Sequence, residues 1–112
     1  RGADVNVVSK HFLGVTPLHG ALFGRQEEAV RILIDGGADV RARRGGKNRP
    51  RAGWTPLHYA AAYDLRDVMT MLLERGAEPG ARDDAGVTPL DVAVQEGRKE
   101  AARLLRKRET RR

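Results

Sequence analysis

The chain has no cysteine, and aromatic residues make up only 4% of its 112 positions. Without cysteine there is no disulfide framework, thiolate zinc site or cysteine nucleophile. No apolar run approaches the roughly 20 residues of a membrane span, and no signal-peptide pattern opens the chain. These absences suggest an intracellular, cytoplasmic protein. The remaining composition, 40% hydrophobic and 32% charged, suits one small globular domain.

The net charge of +6 is unevenly placed. Residues 41–52 hold Arg41, Arg43, Arg44, Lys47, Arg49 and Arg51 with no acid. Residues 98–112 hold eight basic side chains against Glu100 and Glu109. The rest of the chain is mildly acidic. The attraction to polyanions that a basic protein suggests therefore attaches to one loop and one tail.

A tetrapeptide recurs as Thr16-Pro17-Leu18-His19, Thr55-Pro56-Leu57-His58 and Thr88-Pro89-Leu90-Asp91. A second phrase, Gly37-Ala38-Asp39-Val40, returns as Gly76-Ala77-Glu78-Pro79 and also opens the chain as Gly2-Ala3-Asp4-Val5. The threonines stand 39 and 33 residues apart, and the surplus of six falls in the basic loop. Each unit reads as two short helices. Thr followed by Pro starts the first: Thr accepts from free backbone N–H groups, and Pro at the first helical position has no N–H to leave unpaired. Leu18, Ala21 and Leu22 give that helix its apolar side. A second helix runs from about Glu27 to Asp35, with Ala29, Val30, Leu33 and Ile34 at helical spacing. Glu27 and Glu28 favour its N-terminus, and Gly36-Gly37 ends it. The second unit repeats this with Leu57, Ala60, Ala61, Val68, Met69, Leu72 and Leu73. The third does so with Leu90, Ala93, Val94, Ala101, Ala102 and Leu105. No unit can bury its own apolar stripes, and stacking the units makes one core.

These motifs resemble the ankyrin repeat over essentially the whole chain. The resemblance implies an all-α solenoid of helix-turn-helix units with β-turn fingers, forming a curved slab that binds other proteins on its concave side. It divides the chain into 1–14 (the tail of a preceding repeat and its finger), 15–40 (a repeat), 41–53 (a basic insertion loop), 54–86 (a repeat) and 87–112 (a C-terminal capping repeat). It also implies that His19 and His58 are structural, bonding to the motif threonine and to backbone of the next repeat.

Departures from the pattern carry information. Asp91 replaces the motif histidine, and Arg106 stands where Ile34 and Leu73 stand in the earlier units, as a water-facing cap requires. Arg111-Arg112 are expected to fray. The first full unit has no such polar substitution, so a longer array upstream is expected, with a monomer unless the exposed end self-associates. Extra residues occur near Val7-Val8-Ser9-Lys10-His11-Phe12 and in the basic loop, and insertions in repeat proteins often lie on the binding face.

Candidate partner-binding residues follow from repeat phase and composition: Phe12, Phe23, Arg43, Arg44, Arg49, Arg51, Tyr59, Tyr63 and Arg82. Aromatics and arginine dominate interface energies. Each aromatic also has a plain reading as a partly buried helix residue, and Trp54 reads as packing at the base of a finger. The plain reading of the basic run is a solvated, mobile insertion. No aromatic sits inside it to stack bases, which disfavours nucleic acid. Gly45-Gly46-Lys47 lacks the Ser/Thr, the first glycine and the strand of a phosphate loop. Asp83 and Asp84 read as solvated turn residues. No nucleophile–base–acid set, metal site or cofactor site is visible. The function expected is non-enzymatic recognition of another protein, which the basic loop would favour as an acidic one. The alternatives are a targeting or inhibitory segment of a larger, enzymatic protein, or an anion binder for acidic protein, nucleic acid or phosphoinositide working through residues 41–52.

Overall fold

A computed structural model describes residues 16–46 and 50–109. Phe12, Lys47, Arg49, the proposed preceding-repeat segment 1–14 and Arg111-Arg112 lie outside the described residues. The described residues form six helices: α1 (Pro17–Phe23), α2 (Glu27–Asp35), α3 (Pro56–Ala62), α4 (Arg66–Glu74), α5 (Pro89–Gln95) and α6 (Lys99–Glu109). They pair as α1/α2, α3/α4 and α5/α6. The odd-numbered helices pack in one row and the even-numbered helices in a second. This is an all-α stack of helix-turn-helix units.

Each short first helix starts as its sequence dictates. Thr16, Thr55 and Thr88 hold extended backbone at the N-cap, with proline next, and each forms a reciprocal capping box with the residue at N3. The tight turn between paired helices takes a positive φ at Arg25 (57°), Asp64 (59°) and Gly97 (74°). Only the third unit has glycine there. The other two absorb a left-handed residue with a side chain.

The core runs through the stack without a break. Leu18, Leu22, Val30 and Ile34 meet Leu57, Ala60, Ala61, Val68, Met69 and Leu72, which meet Val92, Ala93, Ala101 and Leu105. Alanines along α3 keep that helix thin, so its neighbours on both sides approach closely. Exposure changes with position in the stack. Ile34 and Leu73 are buried while their counterpart Arg106 is exposed. Leu22 and Ala61 are buried while their counterpart Val94 is 55% exposed. Apolar positions that are covered in the first two units thus face solvent in the third.

Arginines tie successive units together. Arg75 donates to Ile34 O at 3.2 Å and pairs with Asp35 at 2.7 Å. Arg98 donates to Ala62 O at 2.9 Å, and Arg41 to Gly76 O at 2.7 Å. Each guanidinium satisfies a carbonyl at or just beyond a helix C-terminus, where free acceptors and the negative dipole end coincide.

Candidate recognition surface

His19 and His58 are fully buried. His19 Nδ1 accepts from Thr16 N–H at 3.2 Å and lies 2.9 Å from Thr16 Oγ1. Its Nε2 is 3.1 Å from both Ala42 O and Trp54 O. Two carbonyl acceptors require Nε2 to carry the proton, so the ring is the neutral Nε2–H form and Thr16 Oγ1 donates to Nδ1. His58 repeats the arrangement, with Thr55 N–H at 3.0 Å, Thr55 Oγ1 at 2.9 Å and Val87 O at 2.8 Å. Burial lowers both imidazole pKa values, against the opposing effect of the carbonyls they bond. Each imidazole stitches its helix to the next finger and is committed to structure. Asp91 keeps the capping box, accepting from Thr88 N–H at 3.1 Å.

Asp83 in the last finger is half-buried and fully engaged, which corrects the solvated reading for it, while Asp84 is exposed. Asp83 Oδ1 accepts from the backbone of Ala85 and Val87, each at 2.8 Å, and Oδ2 accepts from Trp54 Nε1 at 3.0 Å. Asp84 pairs with Arg43 at 2.7 Å. Trp54 is buried at the base of its finger, stacked on His58 at 5.6 Å and edge-on to Tyr59 at 4.9 Å.

The described part of the basic loop folds back onto the helices, and several of its arginines bond to protein groups. Its ends pair, with Arg44 N–H donating to Trp54 O at 2.8 Å and Gly53 N–H to Arg44 O at 2.7 Å. Arg43 also donates to Arg82 O. Arg44 Nη1 reaches Tyr59 Oη at 3.3 Å and Pro50 O at 3.4 Å, while its Nε is buried without a hydrogen-bond partner. Arg51, at φ 67°, donates to Tyr63 Oη at 3.1 Å. Its guanidinium lies 4.8 Å from the Trp54 ring and 5.8 Å from those of Phe23 and Tyr59. Arg25 covers Tyr63 at 4.2 Å. Cations over rings are worth about 0.5–2 kcal/mol each, more when desolvated. They give this loop a reason to dock despite its like charges.

The candidate residues therefore separate. Phe23, Arg44, Arg51, Tyr59 and Tyr63 come together where α1 and α3 meet the loop. Arg43 and Arg82 lie on the fingers, linked to each other. Tyr59 is only 2% exposed and supports the cluster from beneath. Burial raises its phenol pKa, in opposition to the nearby Arg44 and Arg51. Phe23 is 62% exposed. Sequence reasoning missed Arg25. Its place beside the polar turn that follows Phe23 was the available signal. Among the described residues no three His, Asp or Glu converge as a metal site, and no helix is long and apolar enough to cross a membrane.

Comparison with known proteins agrees with this architecture. The family described as "Ankyrin repeats (3 copies)" matches residues 1–83, and "Ankyrin repeats (many copies)" matches residues 67–106. The chain is 34% identical over 92 residues to human protein phosphatase 1 regulatory subunit 27, covering 82% of this chain and 56% of that protein. It is 39% identical over 85 residues to human Rabankyrin-5, covering 70% of this chain and 7% of that protein. It is 37% identical over 102 residues to mouse ankyrin repeat and SOCS box protein 16, covering 84% of this chain and 21% of that protein. The chain thus spans between about half and a small fraction of these relatives. With three capped helix pairs stacked in phase, two histidine-stitched fingers and these matches, the chain belongs to the ankyrin repeat family.

Proposed function

We propose that this chain is a non-enzymatic protein-recognition module that engages its partner through the face shared by α1, α3 and the basic loop. Ankyrin repeats are protein-interaction modules, and the single observation that carries the finer reading is the exposed Phe23. Phe23 is 62% exposed with the Arg51 guanidinium 5.8 Å from its ring, and an exposed aromatic beside an arginine is the pairing from which interface centres are built. Arg43 and Arg82 extend the reading to the fingers. One relative bears the name of a phosphatase regulatory subunit, which supports recognition rather than catalysis as the role. The same reading places the chain inside the cell, acting alone or as the targeting segment of a longer protein.

Affinity capture tests the reading, using the wild type, F23A/Y63A, and a variant with Arg43, Arg44, Arg49 and Arg51 changed to serine. Tyr59 is left intact because its burial would confuse loss of binding with loss of fold. The reading expects a protein partner held by the wild type and lost in F23A/Y63A while its circular dichroism is unchanged. A partner held equally by all three would contradict it.

A further inference from the structure

Several arginines of the described chain face a carboxylate. Arg31 faces Glu27 at 3.9 Å and Asp67 at 3.8 Å, Arg66 faces Asp64 at 3.6 Å, and Arg103 faces Glu100 at 3.5 Å. Arg43 and Arg75 pair at 2.7 Å. Arg25, Arg44 and Arg51 are ion-paired to no described acid, yet they are the three that converge on Tyr59 and Tyr63. The acids that flank the cluster in sequence, Glu27 after Arg25 and Asp64 after Tyr63, turn to Arg31 and Arg66. Three like charges gathered on two phenols repel one another, and they are held by ring faces, phenol oxygens and, for Arg44, the Pro50 carbonyl. A guanidinium has five donors. Arg51 uses one of them on Tyr63, Arg25 sits over the Tyr63 ring, and Arg44 Nε is buried and unbonded. The ring contacts hold the Arg25 and Arg51 heads in place while leaving donors for an incoming oxyanion, which a guanidinium can bind in bidentate fashion.

We propose that this cluster is a carboxylate-reading site for an acidic peptide segment, with Arg25 and Arg51 pairing to Asp or Glu side chains and Phe23 receiving an adjacent apolar one. The proposal rests on the recognition reading above and names its partner chemistry. Charge complementarity and the apolar neighbour favour peptide over nucleic acid. Trp54 and Tyr59 are buried, leaving no row of exposed rings on which successive bases could stack. The pairing would neutralise the repulsion that the free cluster carries, so binding and local stability are coupled.

The test is fluorescence anisotropy with a short fluorescein-labelled peptide in which Leu is spaced among Glu residues, and with its Gln-for-Glu counterpart. Arg25 is exposed, so R25Q leaves the fold intact, and R25Q/R51Q removes both readers. R103Q/R106Q takes away the same charge from α6. The Glu peptide should bind the wild type, weaken at least about tenfold in R25Q/R51Q, and weaken when salt rises from roughly 50 to 500 mM. R25Q alone should fall between, and R103Q/R106Q should match the wild type. The Gln peptide should bind none of them. Equal weakening by both double variants, binding of the Gln peptide, or no binding of the Glu peptide at low salt would overturn the proposal. So would tighter binding of a single-stranded oligonucleotide that depends on the same two arginines. A protein partner lost in F23A/Y63A but held fully by R25Q/R51Q would overturn the acidic-peptide proposal while leaving the recognition reading standing.

Discussion

At the scale of single residues, the histidines carry the sharpest consequence. His19 and His58 each accept at Nδ1 and donate from Nε2, which only the neutral ring can do. Burial holds their pKa below the ordinary value of 6.5. Below that value the unfolded chain binds protons that the folded chain refuses, so stability is full above about pH 6.5 and is lost as pH falls beneath it. The urea midpoint should be flat from about pH 8 to 7 and decline from about 6.5 to 5, before the carboxylates titrate. A flat profile down to pH 5 would mean that the rings are not held neutral. The roles of both histidines were legible through the resemblance to the ankyrin repeat, whose motif places them at N3 after Thr-Pro. The arginine partners were not. Which ring a guanidinium covers depends on how a six-residue insertion folds across two units, and periodicity is silent on that. Composition offered one clue, since Phe23, Trp54, Tyr59 and Tyr63 fall at or near the units that flank the insertion.

At the scale of elements, the basic loop and the last finger cross in close contact at Gly53. Gly53 has φ +84°, and a Cβ there would stand 2.4 Å from Asp84 Oδ1 and 2.6 Å from the Asp84 backbone nitrogen. Asp84 N–H in turn donates to Ala52 O at 3.0 Å. Side-chain atoms can yield, but the backbone nitrogen cannot move without breaking this bond. G53A should therefore cost about 2–4 kcal/mol in equilibrium unfolding. A loss under about 0.5 kcal/mol would show that the fingers do not cross as described. The turn at Asp64 gives the opposite sign. This residue takes a left-handed φ of 59°, and its buried Oδ1 has only the long 3.6 Å approach of Arg66 and no hydrogen bond, where the third unit has glycine. D64G should stabilise by about 0.5–1 kcal/mol, read as a higher denaturant midpoint at unchanged slope. Helix limits were accessible from sequence, and α2 spans the residues that apolar spacing indicated. The crossing was not, because two fingers are brought together only by stacking.

At the scale of the whole molecule, stability is shared between neighbours, and the middle unit is covered on both sides. Leu57 is fully buried between α1 and α5, while its counterpart Leu90 is only partly buried. L57A should cost about 3–4 kcal/mol and L90A about 1–2 kcal/mol, and equal costs would mean that position in the stack does not matter. The same stacking creates the recognition face, since Phe23, Tyr63 and the arginines come from separate units and a loop. The most direct test of that face is site-specific photo-cross-linking in the native chain, with a photoreactive phenylalanine analogue at position 23 or, as a control, at the exposed Glu74 of α4. The account predicts a protein adduct from position 23, suppressed by excess Glu-rich peptide, and none from position 74. Adducts from position 74 alone would contradict it and move recognition to the opposite row of helices.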